Sequence, residues 1–192
     1  NFFPGSGGVV GDTLVGHPRT RFISFTGSRA VGLGIVELAA KTQPGQIWIK
    51  RVVAEMGGKD ATIVDSEADL YAAARGVAVA SFGFQGQKCS ACSRAIVVED
   101  VYDEFLAKLV AETKKITIGP VRDHGNYLGP VINQKAMDSI LNYIDVAQKE
   151  GGKLLHGGGP ARDAGNGFFI EPTIIADVRS RDTIGQEEIF GP

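Results

Sequence analysis

Cys89 is the residue of this sequence whose type and surroundings point most directly to chemistry. It lies in the polar, glycine-bearing segment Gly86-Gln87-Lys88-Cys89-Ser90, between an apolar run and a predicted strand. The charge of Lys88 and the free N–H groups of a turn would favour the thiolate, which is the nucleophilic form of cysteine. Most free cysteines, however, are small buried residues. The local sequence leaves both interpretations open.

Cys89 and Cys92 also form a C-x-x-C spacing. A zinc site would need a second pair of ligands, and the three histidines are single and scattered, so we predict no metal site. A dithiol redox motif usually opens a helix after a strand, whereas a strand is predicted to follow here. The redox pair stays as an alternative. Two cysteines are too few for a disulfide framework, which favours a reducing compartment.

Glu55 is the carboxylate best placed for acid–base chemistry. It closes a β-rich run and precedes two glycines in Glu55-Met56-Gly57-Gly58-Lys59. A carboxylate at such a position could act as a general base. A single Glu at a strand end is also a common solvated charge, so this segment alone does not decide between the two.

Two glycine-bearing segments could hold a phosphate group. Phe25-Thr26-Gly27-Ser28 joins a predicted strand to a predicted helix, and the free N–H groups at a helix start suit a pyrophosphate. Gly5, Gly7 and Gly11 form an earlier cluster. Neither segment matches the G-x-G-x-x-G pattern, and each, taken alone, is more often a plain tight turn.

Strands and helices alternate along the chain, which predicts an α/β fold with a mostly parallel sheet. The helix predicted over 68–84 is apolar on nearly every side and should be buried. Asn133 is the predicted N-cap of the helix that ends before Gly151. The predicted strands are 20–25, 46–54, 61–64, 94–98, 153–156 and 168–175, and the predicted helices are 29–41, 68–84, 102–115 and 133–150.

The composition is that of an ordinary globular protein. Hydrophobic residues make up 43%, charged residues 22%, and the net charge is −2. This balance gives no indication of a nucleic-acid or anionic-membrane partner, and no apolar run reaches the roughly 18 residues that cross a membrane. The sequence does not begin with Met and stops directly after a motif. We therefore expect a piece of a longer chain.

Four segments together resemble the most diagnostic motifs of the aldehyde dehydrogenase superfamily, in that family's order and spacing. The resemblance implies an aldehyde-dehydrogenase-like α/β fold. Residues 1–57 would be the second part of a Rossmann-like NAD-binding domain, and residues 58–192 most of the catalytic domain. The four segments are Phe25-Thr26-Gly27-Ser28, Glu55-Met56-Gly57-Gly58-Lys59, Gly86-Gln87-Lys88-Cys89 and Glu187-Glu188-Ile189-Phe190-Gly191-Pro192.

The resemblance implies NAD as cofactor and assigns its contacts. Ser28 would lie near the pyrophosphate, Glu188 would accept from ribose hydroxyls, and Phe190 would be an aromatic wall for the nicotinamide ring. The full set of implied cofactor-binding residues is Gly7, Gly11, Phe25, Thr26, Gly27, Ser28, Met56, Gly57, Glu188 and Phe190.

The resemblance also implies the reaction. Cys89 would attack an aldehyde, its own N–H would stabilise the oxyanion, and Glu55 would activate the water that hydrolyses the resulting thioester. The residues from Phe82 to Arg94 resemble a bacterial subgroup that oxidises L-glutamate γ-semialdehyde to L-glutamate in proline breakdown. Lys88 and Ser90 would then contact the substrate. Another substrate, such as succinate semialdehyde, is the main rival within the family.

Some functional parts of the family have no counterpart in these residues. They are the oxyanion-hole asparagine, the loop that anchors the substrate α-carboxylate and the oligomerisation segment. We expect little or no turnover from these 192 residues alone. The resemblance implies a cytoplasmic homo-oligomer for the full-length protein.

Overall fold

The computed structural model describes all 192 residues, which divide into two units, Asn1–Gly57 and Gly58–Pro192. Each unit contains both helices and strands, and the sheets are small. Two pairs of strands are parallel and one is antiparallel. No helix has both the length and the apolar character needed to cross a bilayer.

The first unit is built on two parallel strands joined by a helical crossover, as parallel pairing requires. Phe22 lies opposite Arg51, and Thr26 lies opposite Glu55 at the carboxyl ends of the pair. The elements of this unit are α1 (Gly7–Gly16), β1 (Phe22–Thr26), α2 (Arg29–Ala40) and β2 (Arg51–Glu55).

Two close contacts hold the helices of the first unit. A Cβ at Gly32 would lie 2.7 Å from the sulfur of Met56, so a larger residue there would force this flexible side chain to move away from α2. The buried Lys50 ammonium donates to the carbonyl of Val15 at 2.5 Å. That bond satisfies a carbonyl at the end of α1, which has no partner within the helix.

The second unit contains a parallel pair, β3 with β4, and an antiparallel pair, β5 with β6. Asp60 lies opposite Cys92 and Val64 opposite Val97. Its elements are β3 (Asp60–Val64), α3 (Leu70–Phe82), β4 (Cys92–Val97), α4 (Tyr102–Thr113), α5 (Gln134–Lys149), β5 (Lys153–His156), β6 (Ile174–Ala176) and α6 (Thr183–Gln186), with 3-10 turns at Gly83–Gly86 and Glu99–Val101.

Two apolar clusters form the core of the second unit. The larger one packs α3 against α4 and β3, with Phe82 and Phe105 as its largest side chains. The smaller one lies on α5, where Ile140 and Ile144 contact Val131 and Ile170. Because the residue after Phe82 begins the turn that leads to Cys89, the larger core anchors the amino-terminal side of that turn.

Side-chain caps fix where the long helices begin. The Asp69 carboxylate accepts from the N–H groups of Tyr71 and Ala72 at 3.0 and 3.1 Å. The predicted cap of α5 is confirmed, since the Asn133 side chain accepts from the Ala136 N–H at 2.9 Å. Gly151 follows that helix at φ +100°, a conformation that glycine adopts without strain.

The prediction that the helix over 68–84 is buried on nearly every side is wrong. Tyr71 and Val79 are 54% and 53% exposed, whereas Ala74 and Phe82 are buried. The buried residues recur every three or four positions, so α3 has one buried face. Its exposed residues include the apolar Ala72 and Val79 beside Arg75, and these apolar types hid the amphipathic pattern in the sequence.

The expectation of a tight turn around Gly7 and Gly11 is also wrong, because both residues lie inside α1. The Ser6 carbonyl accepts from the N–H groups of Val9 and Val10, which starts the helix. Glycine costs a helix interior about 1 kcal/mol per residue relative to alanine, so a helix could not be predicted here from the sequence.

Two predicted strands are shorter than expected. The strand predicted over 46–54 begins only at Arg51, because a turn at Gly45 (φ +79°) and a bond from the Gln46 amide to the Trp48 carbonyl occupy the residues before it. Of the strand predicted over 168–175, only Ile174–Ala176 is formed, and Ile170 makes an isolated bridge with Pro160.

We predict that Asp69→Ala lowers the free energy of unfolding by about 1 kcal/mol, because two N–H groups of α3 lose their acceptor. Urea denaturation of the full-length protein, with amide exchange at residues 71 and 72, measures the effect. Asp69→Asn keeps an acceptor oxygen and is the matched control. Equal stability of the alanine and asparagine variants would contradict the assigned cap.

Candidate active site

Cys89 occupies the second position of a four-residue turn that the Ala91 N–H closes by donating to the Lys88 carbonyl at 3.1 Å. Its thiol is free and exposed. The Cys89 N–H takes no part in the hydrogen bonding of the turn. The turn therefore offers a thiol and an adjacent unused N–H donor, the pair that a nucleophile and its oxyanion site require.

The segment before this turn has an unusual backbone. Phe84, Gln85 and Gly86 have φ values of 56°, 58° and 64°. The left-handed conformation costs a non-glycine residue roughly 1–2 kcal/mol, so surrounding contacts must hold these residues in place. At Gly86, a Cβ would collide with the carbonyl oxygen of Gly191, so glycine is required there for space as well.

Two glutamines supply the contacts that hold this segment. The Gln87 side chain accepts from the Ile132 N–H at 3.0 Å. With its amide oriented so that both terminal atoms have partners, Gln85 accepts from the Gly129 N–H at 2.9 Å and donates to the Phe84 carbonyl at 3.2 Å. Both therefore fasten the nucleophile segment to the loop before α5. The sequence showed these glutamines only as part of a polar turn.

The backbone of Gly58 lies directly against the turn. A Cβ at Gly58 would lie 2.5 Å from the carbonyl oxygen of Cys89, a distance that real Cβ atoms do not show. The Gly58 N–H donates to a carboxylate oxygen of Glu188 at 3.3 Å. One glycine thus brings Cys89 and Glu188 together. Phe190 follows with φ 59° and is 46% exposed.

Two charged residues, Lys59 and Arg94, lie beside the place where Gly58 meets Cys89 and Glu188. Neither was predicted from the sequence to be a site residue. Arg94 donates to the carbonyls of Lys59 at 2.5 Å and Gly185 at 3.4 Å. The Lys59 ammonium nitrogen is buried without a hydrogen-bond partner. Burial, with a further contribution from the Arg94 charge, lowers the pKa of Lys59 to about 8, against an opposing effect of Glu188. From the sequence, a charged residue beside a strand is expected to be solvated. The burial of Lys59 could therefore not be predicted.

Cys92 lies in a different environment from Cys89. It is 7% exposed and belongs to the larger apolar core. Its sulfur is 3.1 Å from the Thr62 hydroxyl. No group of three or more His, Cys, Asp or Glu side chains is arranged to hold a metal ion. These positions favour packing as the role of Cys92.

Ser90 and Lys88 flank the thiol within the same turn. Ser90 is exposed. The Lys88 ammonium lies beside Gly83, 3.6 Å from the position a Cβ would take there, and the Tyr127 hydroxyl lies 3.4 Å from the same point. Tyr127 was not selected from the sequence, because nothing in its loop indicates proximity to Lys88.

In the first unit, the candidate cofactor residues gather at the carboxyl ends of β1 and β2. The Gly27 N–H donates to the Glu55 carbonyl at 3.0 Å, and both Glu55 and Thr26 are exposed. Ser28 caps α2 by accepting from the Val31 N–H at 3.4 Å. Ligands of open α/β sheets bind at this end of the strands, where a helix begins.

The other candidate cofactor-binding residues of the first unit differ in how closely the rest of the unit packs around them. The Phe25 ring covers Gly27, where a Cβ would lie 2.5 Å from the ring, and Met56 packs on α2. At Gly7 and Gly11 a Cβ would meet nothing within 4 Å. Packing within the unit therefore does not explain those two glycines. Gly57 is exposed at the end of the unit.

An exposed helix start beside two parallel strand ends fits a dinucleotide phosphate, because its first N–H groups have no partners within the helix. The Glu188 carboxylate, oriented by the Gly58 N–H, fits the hydroxyls of a ribose. The residues present in each unit are therefore compatible with NAD.

Comparison with known proteins agrees with this arrangement. The sequence model described as the aldehyde dehydrogenase family matches residues 1–192. The chain belongs to the aldehyde dehydrogenase family, and the α/β fold predicted from the sequence is confirmed.

Several of the similar proteins within this family are 1-pyrroline-5-carboxylate dehydrogenases. The chain is 58% identical over all 192 residues to the 1-pyrroline-5-carboxylate dehydrogenase of Geobacillus sp. (strain WCH70) and 54% identical to that of Bacillus subtilis (strain 168). It spans 37% of the length of each of these relatives. A crystal structure of the Thermus enzyme with bound NAD superposes on the whole chain with a TM-score of 0.94 at 47% identity, and the chain covers 36% of it.

We predict that iodoacetamide modifies Cys89 at least about tenfold faster than Cys92 in the native full-length protein, because thiol reactivity follows exposure. Peptide mapping by mass spectrometry at short times measures both rates. Denatured protein, in which both thiols react, is the control. Comparable native rates would contradict the placement of Cys92 in the core.

Proposed function

We propose that the full-length protein oxidises L-glutamate γ-semialdehyde, the open form of 1-pyrroline-5-carboxylate, to L-glutamate with NAD, in proline degradation. The observation that carries this proposal is the exposed Cys89 turn with its unused N–H, held against Gly58 and Glu188. The choice of substrate is supported by the 58% identity of this chain to a 1-pyrroline-5-carboxylate dehydrogenase. We assign Asn1–Gly57 to the cofactor domain and Gly58–Pro192 to the catalytic domain.

The first step is addition of the Cys89 thiolate to the aldehyde carbon. A carbon–sulfur bond forms and the carbonyl electrons move to oxygen, giving a thiohemiacetal oxyanion. The Cys89 N–H, which the turn leaves unused, donates to that oxyanion. Lys88 and Ser90, on either side of the thiol, contact the substrate.

NAD, when bound, would supply the hydride acceptor. The thiohemiacetal carbon would lose its hydrogen as hydride to that acceptor, and the oxyanion electrons would reform the carbonyl, so that Cys89 becomes a thioester. Glu188 would orient the ribose next to the nicotinamide, and the exposed Phe190 side chain would limit movement of the nicotinamide ring. Ser28 and its neighbours bind the pyrophosphate at the start of α2. The assigned contacts are Gly7, Gly11, Phe25, Thr26, Gly27, Ser28, Met56, Gly57, Glu188 and Phe190.

Glu55 acts in the last step. Its carboxylate takes a proton from a water molecule, whose oxygen attacks the thioester carbon. The carbon–sulfur bond breaks, L-glutamate leaves, and Cys89 returns to its starting form. The support for this role is the position of Glu55 at the exposed carboxyl end of β2. We further propose that the full-length protein is a cytoplasmic homo-oligomer.

Comparing two aldehydes tests the substrate. The full-length protein should reduce NAD with L-glutamate γ-semialdehyde at a far higher kcat/KM than with succinate semialdehyde. The rival substrate lacks the α-carbon with its amino group and is one carbon shorter, so the ratio measures recognition of the amino-acid end as a whole. Absence of a preference for the amino-acid aldehyde would contradict the proposed substrate.

Substitution of the two cysteines tests the mechanism. Cys89→Ser should lower aldehyde oxidation by a factor on the order of a thousand or more, because the nucleophile is lost. Cys92→Ser is the matched control and should keep kcat within about threefold, because a thiol-to-hydroxyl exchange beside the Thr62 hydroxyl removes no reacting group. NADH formation measures both rates. Comparable losses in the two variants would favour the dithiol alternative.

A further inference from the structure

One face of α5 contacts the segment 183–191, which carries the proposed cofactor residue Glu188. Ile140, Tyr143 and Glu150 recur along this face at helical spacing, and Glu150 lies directly after the helix. The proposed mechanism uses none of the three. Each of them nevertheless contacts a different part of the segment, so together they fix where it lies.

The first contact fixes the start of the short helix α6. The Glu150 carboxylate accepts from the Thr183 N–H at 2.8 Å and from the Thr183 hydroxyl at 2.6 Å. The first N–H groups of a helix have no partners within it, so a carboxylate from a neighbouring element can cap them. Two hydrogen bonds therefore hold the start of α6 to the end of α5.

Two further contacts follow α6 along the chain. The hydroxyl of the half-buried Tyr143 donates to the Glu187 carboxylate at 2.8 Å. A hydrogen bond to an ionised acceptor is stronger than one between neutral groups. At Gly191, a Cβ would collide with the buried Ile140 side chain, so the backbone there lies directly against α5. The residues between Glu187 and Gly191 are thus held at both ends.

The backbone between these two contacts begins extended, and this decides where Glu188 points. Glu187 has φ −97° and ψ 146°, and successive side chains of an extended chain point to opposite sides. Glu187 bonds to Tyr143, and Ile189 packs against the apolar cluster on α5. The carboxylate of Glu188, which lies between them, instead accepts from the Gly58 N–H at 3.3 Å. Holding Glu187 against α5 therefore directs Glu188 away from it.

We propose that Tyr143 is a positioning residue for Glu188. By holding Glu187 against α5, its hydroxyl keeps the next carboxylate directed toward the ribose hydroxyls of NAD. This inference rests on the proposed cofactor role of Glu188. Tyr143 acts through the backbone that joins Glu187 to Glu188, and it serves recognition of the nicotinamide half of the cofactor, because that half contains the ribose assigned to Glu188.

The test is the dissociation constant of NAD, measured by calorimetry on full-length variants at pH 7 without aldehyde. Tyr143→Phe removes only the hydroxyl and should raise this constant about fivefold, because one hydrogen bond to a charged group is lost. Tyr71→Phe removes a hydroxyl from an exposed tyrosine of α3 and is the matched control. It should leave the constant unchanged.

A second ligand separates positioning from a general loss of structure. AMP contains the adenosine half of NAD and has no nicotinamide ribose. Its dissociation constant should therefore be the same in Tyr143→Phe and in the parent protein. Equal weakening of NAD and AMP binding would overturn the proposal, because it would indicate an effect on the structure as a whole.

Variants at Glu187 test the hydrogen bond itself. Glu187→Gln keeps an acceptor oxygen for the Tyr143 hydroxyl and should bind NAD nearly as well as the parent, whereas Glu187→Ala should match Tyr143→Phe. Combining Tyr143→Phe with Glu187→Ala should weaken binding by less than about twofold beyond either single variant, because both remove the same bond.

Two results would overturn the proposal while leaving the role of Glu188 intact. One is additive losses in the double variant. The other is unchanged NAD affinity in Tyr143→Phe when Glu188→Gln weakens binding. Unchanged NAD affinity in Glu188→Gln would instead overturn the proposed cofactor role of Glu188, and with it the inference for Tyr143.

Discussion

The contact between Gly58 and the Cys89 carbonyl is the constraint on which the candidate site depends. Because a Cβ at Gly58 would come within 2.5 Å of that oxygen, any side chain there would displace the nucleophile turn. The same residue donates its N–H to Glu188, so its position also orients the carboxylate that we propose for cofactor binding. Gly86, on the other side of the turn, is subject to the same constraint, because the Gly191 backbone leaves no space for a Cβ there. Close approach of backbone segments, together with side-chain hydrogen bonds to the backbone, therefore assembles the site.

The charged and polar residues around this junction act on the backbone more than on one another. Gln85 and Gln87 hold a left-handed segment, and Arg94 joins two carbonyls from separate elements. The roughly 1–2 kcal/mol that each left-handed non-glycine residue costs is offset by these bonds and by the Phe82 core. A rigid turn leaves the Cys89 N–H free, and a free donor of fixed position is what stabilises a developing oxyanion.

The sequence predicted local structure better than contacts between distant residues. The cysteine turn, the cap at Asn133 and the alternation of strand and helix could be predicted because each depends on nearby residues. Helix α1 could not, since glycines inside a helix give no local signal. The burial of the Lys59 ammonium could not either, because burial depends on residues that are distant in sequence. The burial of only one face of α3 was missed because apolar residues, Ala72 and Val79, are among its exposed positions.

The central claim is that Cys89 carries a covalent acyl intermediate that Glu55 helps to hydrolyse. It is tested most directly by mixing the full-length Glu55→Gln variant with NAD and L-glutamate γ-semialdehyde, quenching with acid, and mapping peptides by mass spectrometry. The account predicts a thioester that accumulates on the peptide containing Cys89, at that residue and not at Cys92. An adduct on another residue, or NADH formation with no acyl adduct at any time, would contradict it.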